Sequence, residues 1–394
     1  MFDSYTVLSG LGPSRPRPHA PDDGLERRAV RGLEAVDRPA IRVTSSRLEP
    51  REVAELQRDP DTLLAPEMPL TLCRPVATPS PPAQGAWGLA AVGASSSPCD
   101  GRGIAVAVLD TGIDRTHPAF AGIATLTEQD FTGEGNGDRN GHGTHCASTI
   151  FGRDVDRTRI GVARGVGHAL IGKILRGDGH GETTGLFRAL QWAVEGGAQV
   201  ISLSLGFDFP GMVQKLHQDG WPVDAATSHA LCAYRANLRV FDAILRMIDA
   251  FAPWGGGSVI VAAAGNENRP PYKIGVALPA AAEGVIAVAA ATVADEDGHR
   301  IAEFSNRWPL VAAPGVDILG AELGGTLTRK SGTSMAAPHV AGVAALWWQK
   351  KRSGMRIATA AAVVAALRES ARRDVFARGV DDTDCGIGMV QAPA

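Results

Sequence analysis

Residues 103–114 read GIAVAVLDTGID, and this stretch decides the fold. Residues 104–109 are continuously apolar, without the in/out alternation of a half-exposed strand, and the run stops at Asp110 before a Thr-Gly turn. A short strand apolar on both sides is buried on both faces, which points to a parallel sheet covered by helices. The runs at 170–175, 200–205, 259–263 and 285–289 have the same texture. Helical patterns at 144–151, 183–195, 225–250, 334–350 and 358–372 lie between or after them. This alternation predicts an α/β fold in three layers with a mostly parallel central sheet. Ligands and catalytic groups collect at the carboxyl ends of such strands, so Asp110 is the first residue to weigh.

Composition sets the outer limits. The chain has 394 residues, 44% hydrophobic and 21% charged, enough apolar material for a large core and far from a disordered or fibrous composition. A net charge of −3 provides no basic field for nucleic acid or anionic lipid, so neither nucleic acid nor membrane is an expected partner. No apolar run reaches the ~18 residues a membrane span needs. The five cysteines are widely spaced and form no CxxC pair, unlike a disulfide scaffold. Residues 1–19 lack a charged start followed by an apolar run, so a cytoplasmic start is expected, with export by another route left open.

Three more polar residues stand where strands end or helices begin. His142 lies in GHGTHCAST (141–149), Asn266 in VIVAAAGNEN (259–268) and Ser334 in SGTSMAAPHVAG (331–342), each among small residues that let backbone approach closely. A serine hydroxyl attacks only when a base takes its proton, and a neutral histidine does that near pH 7. A buried carboxylate fixes the histidine's tautomer and stabilises the imidazolium. An asparagine NH₂ with a backbone N–H stabilises the oxyanion that develops. Asp110, His142, Ser334 and Asn266 are the types this chemistry requires.

In order along the chain, DTGID, HGTH, SLG, AAAGNEN and GTSMAAPHVAG resemble the signature segments of the subtilisin-like serine proteases, the subtilases of peptidase family S8. The Asp…His…Ser order is that family's. The similarity runs from about residue 87 to 392. It implies a triad of Asp110, His142 and Ser334, with an oxyanion hole from the Asn266 side chain and the Ser334 backbone N–H. It also implies a cleft in which an extended polypeptide substrate pairs with Gly179, His180 and Gly181 on one side and Ser204, Leu205 and Gly206 on the other. Leu205 and Leu186 would line an apolar pocket a few positions before the scissile bond. Ala263, Ala264, Gly265 and Ala277 would border the pocket for the residue just before it. No cofactor is required for this chemistry.

The front of the chain has its own texture. Residues 5–8 and 40–43 read as short strands, 49–58 as a helix, and the Pro-rich stretches 10–24 and 74–84 as loop and linker. VTSSRLEPREVAELQRDPDTLLAPEMPLTL (43–72) is similar to the end of a subtilase inhibitory propeptide of the I9 type. The implied organisation is a small α+β propeptide-like unit at 1–75, a linker and start of the catalytic domain at 76–97, and a peptidase domain at 98–394. The implied partners are a polypeptide substrate and the chain's own front unit, cut from the rest somewhere between residues 70 and 97.

The peptidase domain carries an insertion at 207–258, which reads either as a helix pair packed on the scaffold or as a wall restricting access. His142 and His145 form an H-x₂-H pair that lacks a standard zinc pattern. No EF-hand-like loop is present; a structural calcium ion would have to draw on the scattered Asp130, Asp138, Asp295 and Asp297. His117, His145 and His339 read as structural, Asp138 as a turn former and Cys146 as a small buried residue. The function these features imply is a serine endopeptidase acting through an acyl-enzyme and made as a zymogen. The alternatives are a processing protease dedicated to one peptide, and a protease-fold protein that binds peptide without turnover.

Overall fold

The structure is a computed structural model that describes residues 4–10, 42–77, 85–250, 252, 256–354 and 358–394. The Pro-rich loop at 10–24 therefore lies almost wholly outside the described residues, as do 78–84 of the stretch read as a linker.

The front segment builds β1 (Tyr5–Ser9), β2 (Arg42–Ser46), α1 (Pro50–Leu56) and β3 (Thr62–Pro66). The strands form an antiparallel sheet in the order β2-β1-β3. Proline in the first turn and a reciprocal capping box between Glu49 and Glu52 start α1. A fourth strand, β4 (Pro69–Leu72), leaves this sheet for another described below.

The rest of the chain opens with α2 (Trp87–Ala91), β5 (Ala105–Asp110), β6 (Thr125–Asp130), α3 (His142–Phe151), β7 (His168–Lys173), β8 (His180–Glu182) and α4 (Thr183–Glu195). It continues with β9 (Val200–Leu203), β10 (Leu205–Phe207), α5 (Phe209–Gln218), α6 (Val223–Ala250) and β11 (Val259–Ala263). Then come β12 (Ile286–Ala291), β13 (Val311–Pro314), the hairpin β14 (Ile318–Ala321) and β15 (Leu327–Lys330), α7 (Thr333–Gly354), α8 (Ala360–Ser370) and α9 (Asp382–Cys385).

Seven strands form the central sheet in the order β13-β12-β11-β9-β5-β7-β6, and every pair is parallel. Its two faces bury separate apolar clusters. Val106 and Val108 of β5 point to the side of α3 and α7, whereas Ala105, Ala107 and Leu109 point to the side of α4 and α6. That division explains why the strand is apolar at every position. Helix α7 runs through the middle, buried almost throughout from Thr333 to Trp348. It fits because it is small: a Cβ on Gly342 would lie 2.5 Å from Val162 Cβ.

The expected strands and helices are present with shifts of a few residues at their ends. Two strands of the sheet were not legible. Strand β6 is an exposed edge with the sequence TLTEQD, whose single apolar residue gives little pattern, and β13 is only four residues long. Among the described residues no helix is long and apolar enough to cross a membrane.

The insertion forms the helix pair α5–α6, preceded by Phe207 at the end of β10. Helix α6 does two things at once. Its Val240, Phe241, Ile244 and Ile248 join the apolar cluster beneath the sheet, and Asn237 Nδ2 reaches up to the carbonyl of Pro66 in β3, at 2.7 Å. The Met68 N–H donates to Thr183 Oγ1 at the head of α4, and Thr6 Oγ1 meets Thr184 Oγ1. The front sheet thus rests on α4 and α6.

Candidate active site

Asp110 ends β5 at the carboxyl edge of the sheet, and His142 opens α3. The two are brought together by glycine: a Cβ on Gly143 would lie 2.3 Å from the carbonyl oxygen of Gly112, so only a bare backbone lets the first turn of α3 approach the strand end. His142 Nδ1–H donates to Asp110 Oδ1 at 2.8 Å, and the Thr111 N–H donates to the same oxygen at 2.7 Å. Both side chains are 1% exposed. With Nδ1 committed to the carboxylate, the lone pair of the neutral ring sits on Nε2, which has no hydrogen-bond partner among the described residues.

Ser334 is the second residue of α7, where the helix dipole is positive. Asn266 stands beside it, after β11. The Thr333 N–H and hydroxyl both donate to Asn266 Oδ1, at 2.9 and 2.8 Å. A backbone N–H can only donate, so Oδ1 must face Thr333 and Nδ2 must face outward. Ala263, Ala264 and Gly265 lead into this asparagine; the Gly265 N–H bonds Thr333 Oγ1, and a Cβ there would strike Asn306 Nδ2. Those three residues position Asn266. Ala277 lies before Leu278, whose carbonyl accepts from the Phe207 N–H.

The two segments expected to line a cleft lie on either side of a strand of the chain itself. Strand β4 lies antiparallel between β8 and β10. On one side Leu70 pairs with Gly181 and Thr71 with His180, and the Leu72 N–H donates to Gly179 O at 2.9 Å. On the other, Leu72 pairs with Leu205 and Thr71 with Gly206, and the Cys73 N–H donates to Ser204 O at 3.4 Å. Leu70 is buried in one apolar cluster with Leu186 and Leu205.

The strand then meets the polar residues. Ser334 Oγ donates to the carbonyl of Cys73 at 2.9 Å, and Asn266 Nδ2 donates to the carbonyl of Arg74 at 2.8 Å. The Val76 N–H reaches Ser331 O at 2.7 Å. Residues 74–77, the start of the stretch expected to be a linker, run past these polar residues, with Arg74 O and the Val76 N–H paired to the body.

Asp138 does more than shape a turn. Its Oδ1 accepts from the Thr111 hydroxyl and from the N–H groups of Asn140 and Gly141, and its Oδ2 from the N–H and hydroxyl of Thr144. It therefore ties the residue after Asp110 to the residues on either side of His142. Burial alone would raise its carboxyl, but the donors from Gly141, Thr144 and Asn140 hold it below the usual range. The threonines flanking two chemical segments were the available signal.

The three histidines read as structural, His117, His145 and His339, each have a partner. His145 Nε2 faces Ile318 O at 3.0 Å, and burial holds its ring down at about 3. His339 Nδ1 faces Met335 O at 2.8 Å, and burial lowers it to about 4. His117 Nδ1 accepts from the Ala119 N–H. The H-x₂-H pair thus diverges. Among the described residues, the donors that do converge are Asp110, His142 and Cys146, within 4.8 Å of one another. Cys146 is fully buried, and burial pushes its thiol well above the ordinary value. Of the scattered carboxylates, Asp130 accepts from Thr132, Gly133 and Gly135 of its own loop, while Asp295 and Asp297 pair with Arg300.

This constellation lies at the carboxyl edge of a parallel sheet, beside β4 held between β8 and β10. The sequence model of the Subtilase family, peptidase S8, matches residues 101–388, and the chain belongs to that family. It is 35% identical over 272 residues to Subtilisin-like protease 6 of Trichophyton rubrum, a match covering 66% of this chain and 57% of that protein. It is also 35% identical over 254 residues to Subtilisin-like protease 4 of Trichophyton equinum, covering 62% of this chain and 52% of the relative. The chain thus spans little more than half the length of the curated relatives it matches.

Proposed function

We propose that the chain is a serine endopeptidase that hydrolyses polypeptides through an acyl-enzyme on Ser334. The observation that carries this reading is the buried 2.8 Å bond from His142 Nδ1 to Asp110, which leaves Nε2 without a partner among the described residues and able to take a proton. In the proposed cycle, Nε2 takes the Ser334 proton as Oγ attacks the substrate carbonyl, and later returns it to the leaving amine. Asp110 stabilises the imidazolium. Asn266 Nδ2 and the Ser334 backbone N–H receive the oxyanion, and one such donor is worth about 3 kcal/mol, the magnitude known for this family. The segments Gly179–Gly181 and Ser204–Gly206 bind substrate by adding a strand.

The front unit, residues 1–75, acts as an inhibitory propeptide in this reading. Support comes from β4, which takes the place of a substrate strand between β8 and β10. It also comes from the hydroxyl of Ser334, whose hydrogen bonds go to Cys73 O and, at 3.4 Å, to Ser204 O. A chain in that state is a zymogen.

A fluorophosphonate probe tests the assignment by intact mass, applied to the wild type and to Ser334→Ala after removal of the front unit. One adduct on the wild type and none on the variant is the expected result. A wild type that stays unlabelled with the cleft open, or a variant that still hydrolyses protein, overturns it.

A further inference from the structure

The structure assigns the bond that this chain cuts in itself: Cys73–Arg74. The inference rests on the peptidase reading above and deepens it, since occupancy of the cleft alone does not say which bond is presented.

Two carbonyls lie at the reacting groups, that of Cys73 on Ser334 Oγ and that of Arg74 on Asn266 Nδ2. They define two candidate bonds, Cys73–Arg74 and Arg74–Pro75. Three observations choose the first. The strand register runs without a break from Leu70 to the Cys73 N–H on Ser204 O, so pairing with the cleft ends at Cys73. Cys73 is 4% exposed, its side chain inserted into the protein, whereas Arg74 and Pro75 are exposed. The residue before the bond is thus gripped by its side chain, whereas those after it are held through backbone groups, Arg74 O on Asn266 Nδ2 and the Val76 N–H on Ser331 O. Finally, the nucleophile's oxygen lies 2.9 Å from the Cys73 carbonyl oxygen.

The second bond is also chemically poor. Its nitrogen belongs to Pro75, a tertiary amide whose ring carbon occupies the position of the N–H. The ring puts a bulky substituent in place of hydrogen on the nitrogen that must accept the proton.

Ser334 Oγ attacks the Cys73 carbonyl carbon while its proton passes to His142 Nε2. The Cys73–Arg74 C–N bond breaks as Nε2 gives that proton to the Arg74 nitrogen, leaving an ester between Cys73 and Ser334. Water then attacks the ester and its proton returns through His142 to Ser334. The products are a front piece ending in the Cys73 carboxylate and a body beginning with the Arg74 amine.

One rearrangement precedes attack. The Cys73 oxygen must leave the Ser334 hydroxyl for Asn266 Nδ2 and the Ser334 N–H, and Arg74 O must release Asn266. The ground state therefore holds the nucleophile's proton on the very carbonyl it will attack, which makes the same contact both presenting and inhibitory.

The test is N-terminal sequencing and intact mass of the full chain after expression, as wild type, Ser334→Ala, Arg74→Pro and Pro75→Ala, with serine-probe labelling alongside. The wild type and Pro75→Ala are expected to yield a body starting at residue 74 and a front piece ending at residue 73, while Ser334→Ala and Arg74→Pro stay whole. The fraction cut should not change on tenfold dilution, because the bond is presented within one molecule. A body starting at residue 75, or anywhere in 76–97, overturns the inference and leaves the peptidase reading intact. So does a wild type that stays whole yet labels with the probe once the front unit is trimmed. A wild type that neither cuts nor labels after trimming overturns both.

Discussion

Pro338 stands one helical turn after Ser334 in α7, and its missing N–H leaves the Ser334 carbonyl without its helical partner. Two side chains from other elements take its place: Cys146 Sγ and Ser204 Oγ both donate to Ser334 O, each at 3.3 Å. The Ser334 backbone is thus clamped between α3, which carries His142, and the turn joining β9 to β10. Cys146 serves as a hydrogen-bond donor rather than a reactive thiol.

Cys146→Ala should therefore lower stability by about 1 kcal/mol, the worth of one hydrogen bond, without abolishing labelling of Ser334. Urea denaturation and probe labelling read the two effects. In the native protein iodoacetamide should modify Cys232, the exposed cysteine of the five, and spare Cys146.

Asn266→Ala removes the outward-facing donor. Turnover on an unstructured protein substrate should fall about 10²–10³-fold with KM nearly unchanged, because the lost bond matters most when charge develops on the oxygen. Steady-state kinetics on the trimmed enzyme decide it; a loss confined to KM would mean that Asn266 only binds substrate.

Asn237 couples the insertion to the front unit. Its Nδ2 donates to Pro66 O, while its Oδ1 is buried without a partner among the described residues. Asn237→Leu should weaken retention of the cut front piece about tenfold, or about 1.4 kcal/mol. The body alone should be no less stable, since the variant also removes the unpaired oxygen. Size-exclusion chromatography of the cleaved protein across concentrations measures the first effect, and thermal unfolding of the body the second.

Acid should destabilise the protein in two windows. His145 and His339 bind protons at about 3 and about 4 in the fold against 6.5 ordinarily, so between those values the unfolded chain takes up more protons. Stability then falls as pH drops below 6.5, by up to about 1.4 kcal/mol per pH unit for each ring. Asp138 acts lower: its folded value is depressed, so its contribution is present above the ordinary 3.8 and is lost as pH falls through the folded value. Asp138→Asn should cost about 2 kcal/mol at pH 7, because an amide NH₂ then faces N–H donors, and the gap from wild type should narrow toward pH 3. Urea titrations at several pH values measure both windows.

Much of this was written along the chain. The continuously apolar 104–109, 259–263 and their companions specified a parallel sheet buried on both faces, because burial imposes its pattern residue by residue. The small residues around Asp110, His142, Asn266 and Ser334 marked where backbones had to approach, and their order carried the family resemblance. Tertiary structure alone decided what depends on groups far apart in sequence. The Asp138 network joins residues 111, 138 and 144 through side-chain oxygens whose alignment no local pattern encodes. The path of residues 74–77 read as a Pro-rich linker, yet the unpaired edges of β8 and β10, more than 100 residues away, draw the strand before it into the cleft. Local propensity sets the elements, and long-range pairing of backbone hydrogen bonds sets which of them meet, so the presented bond could be read only after the chain had folded onto itself.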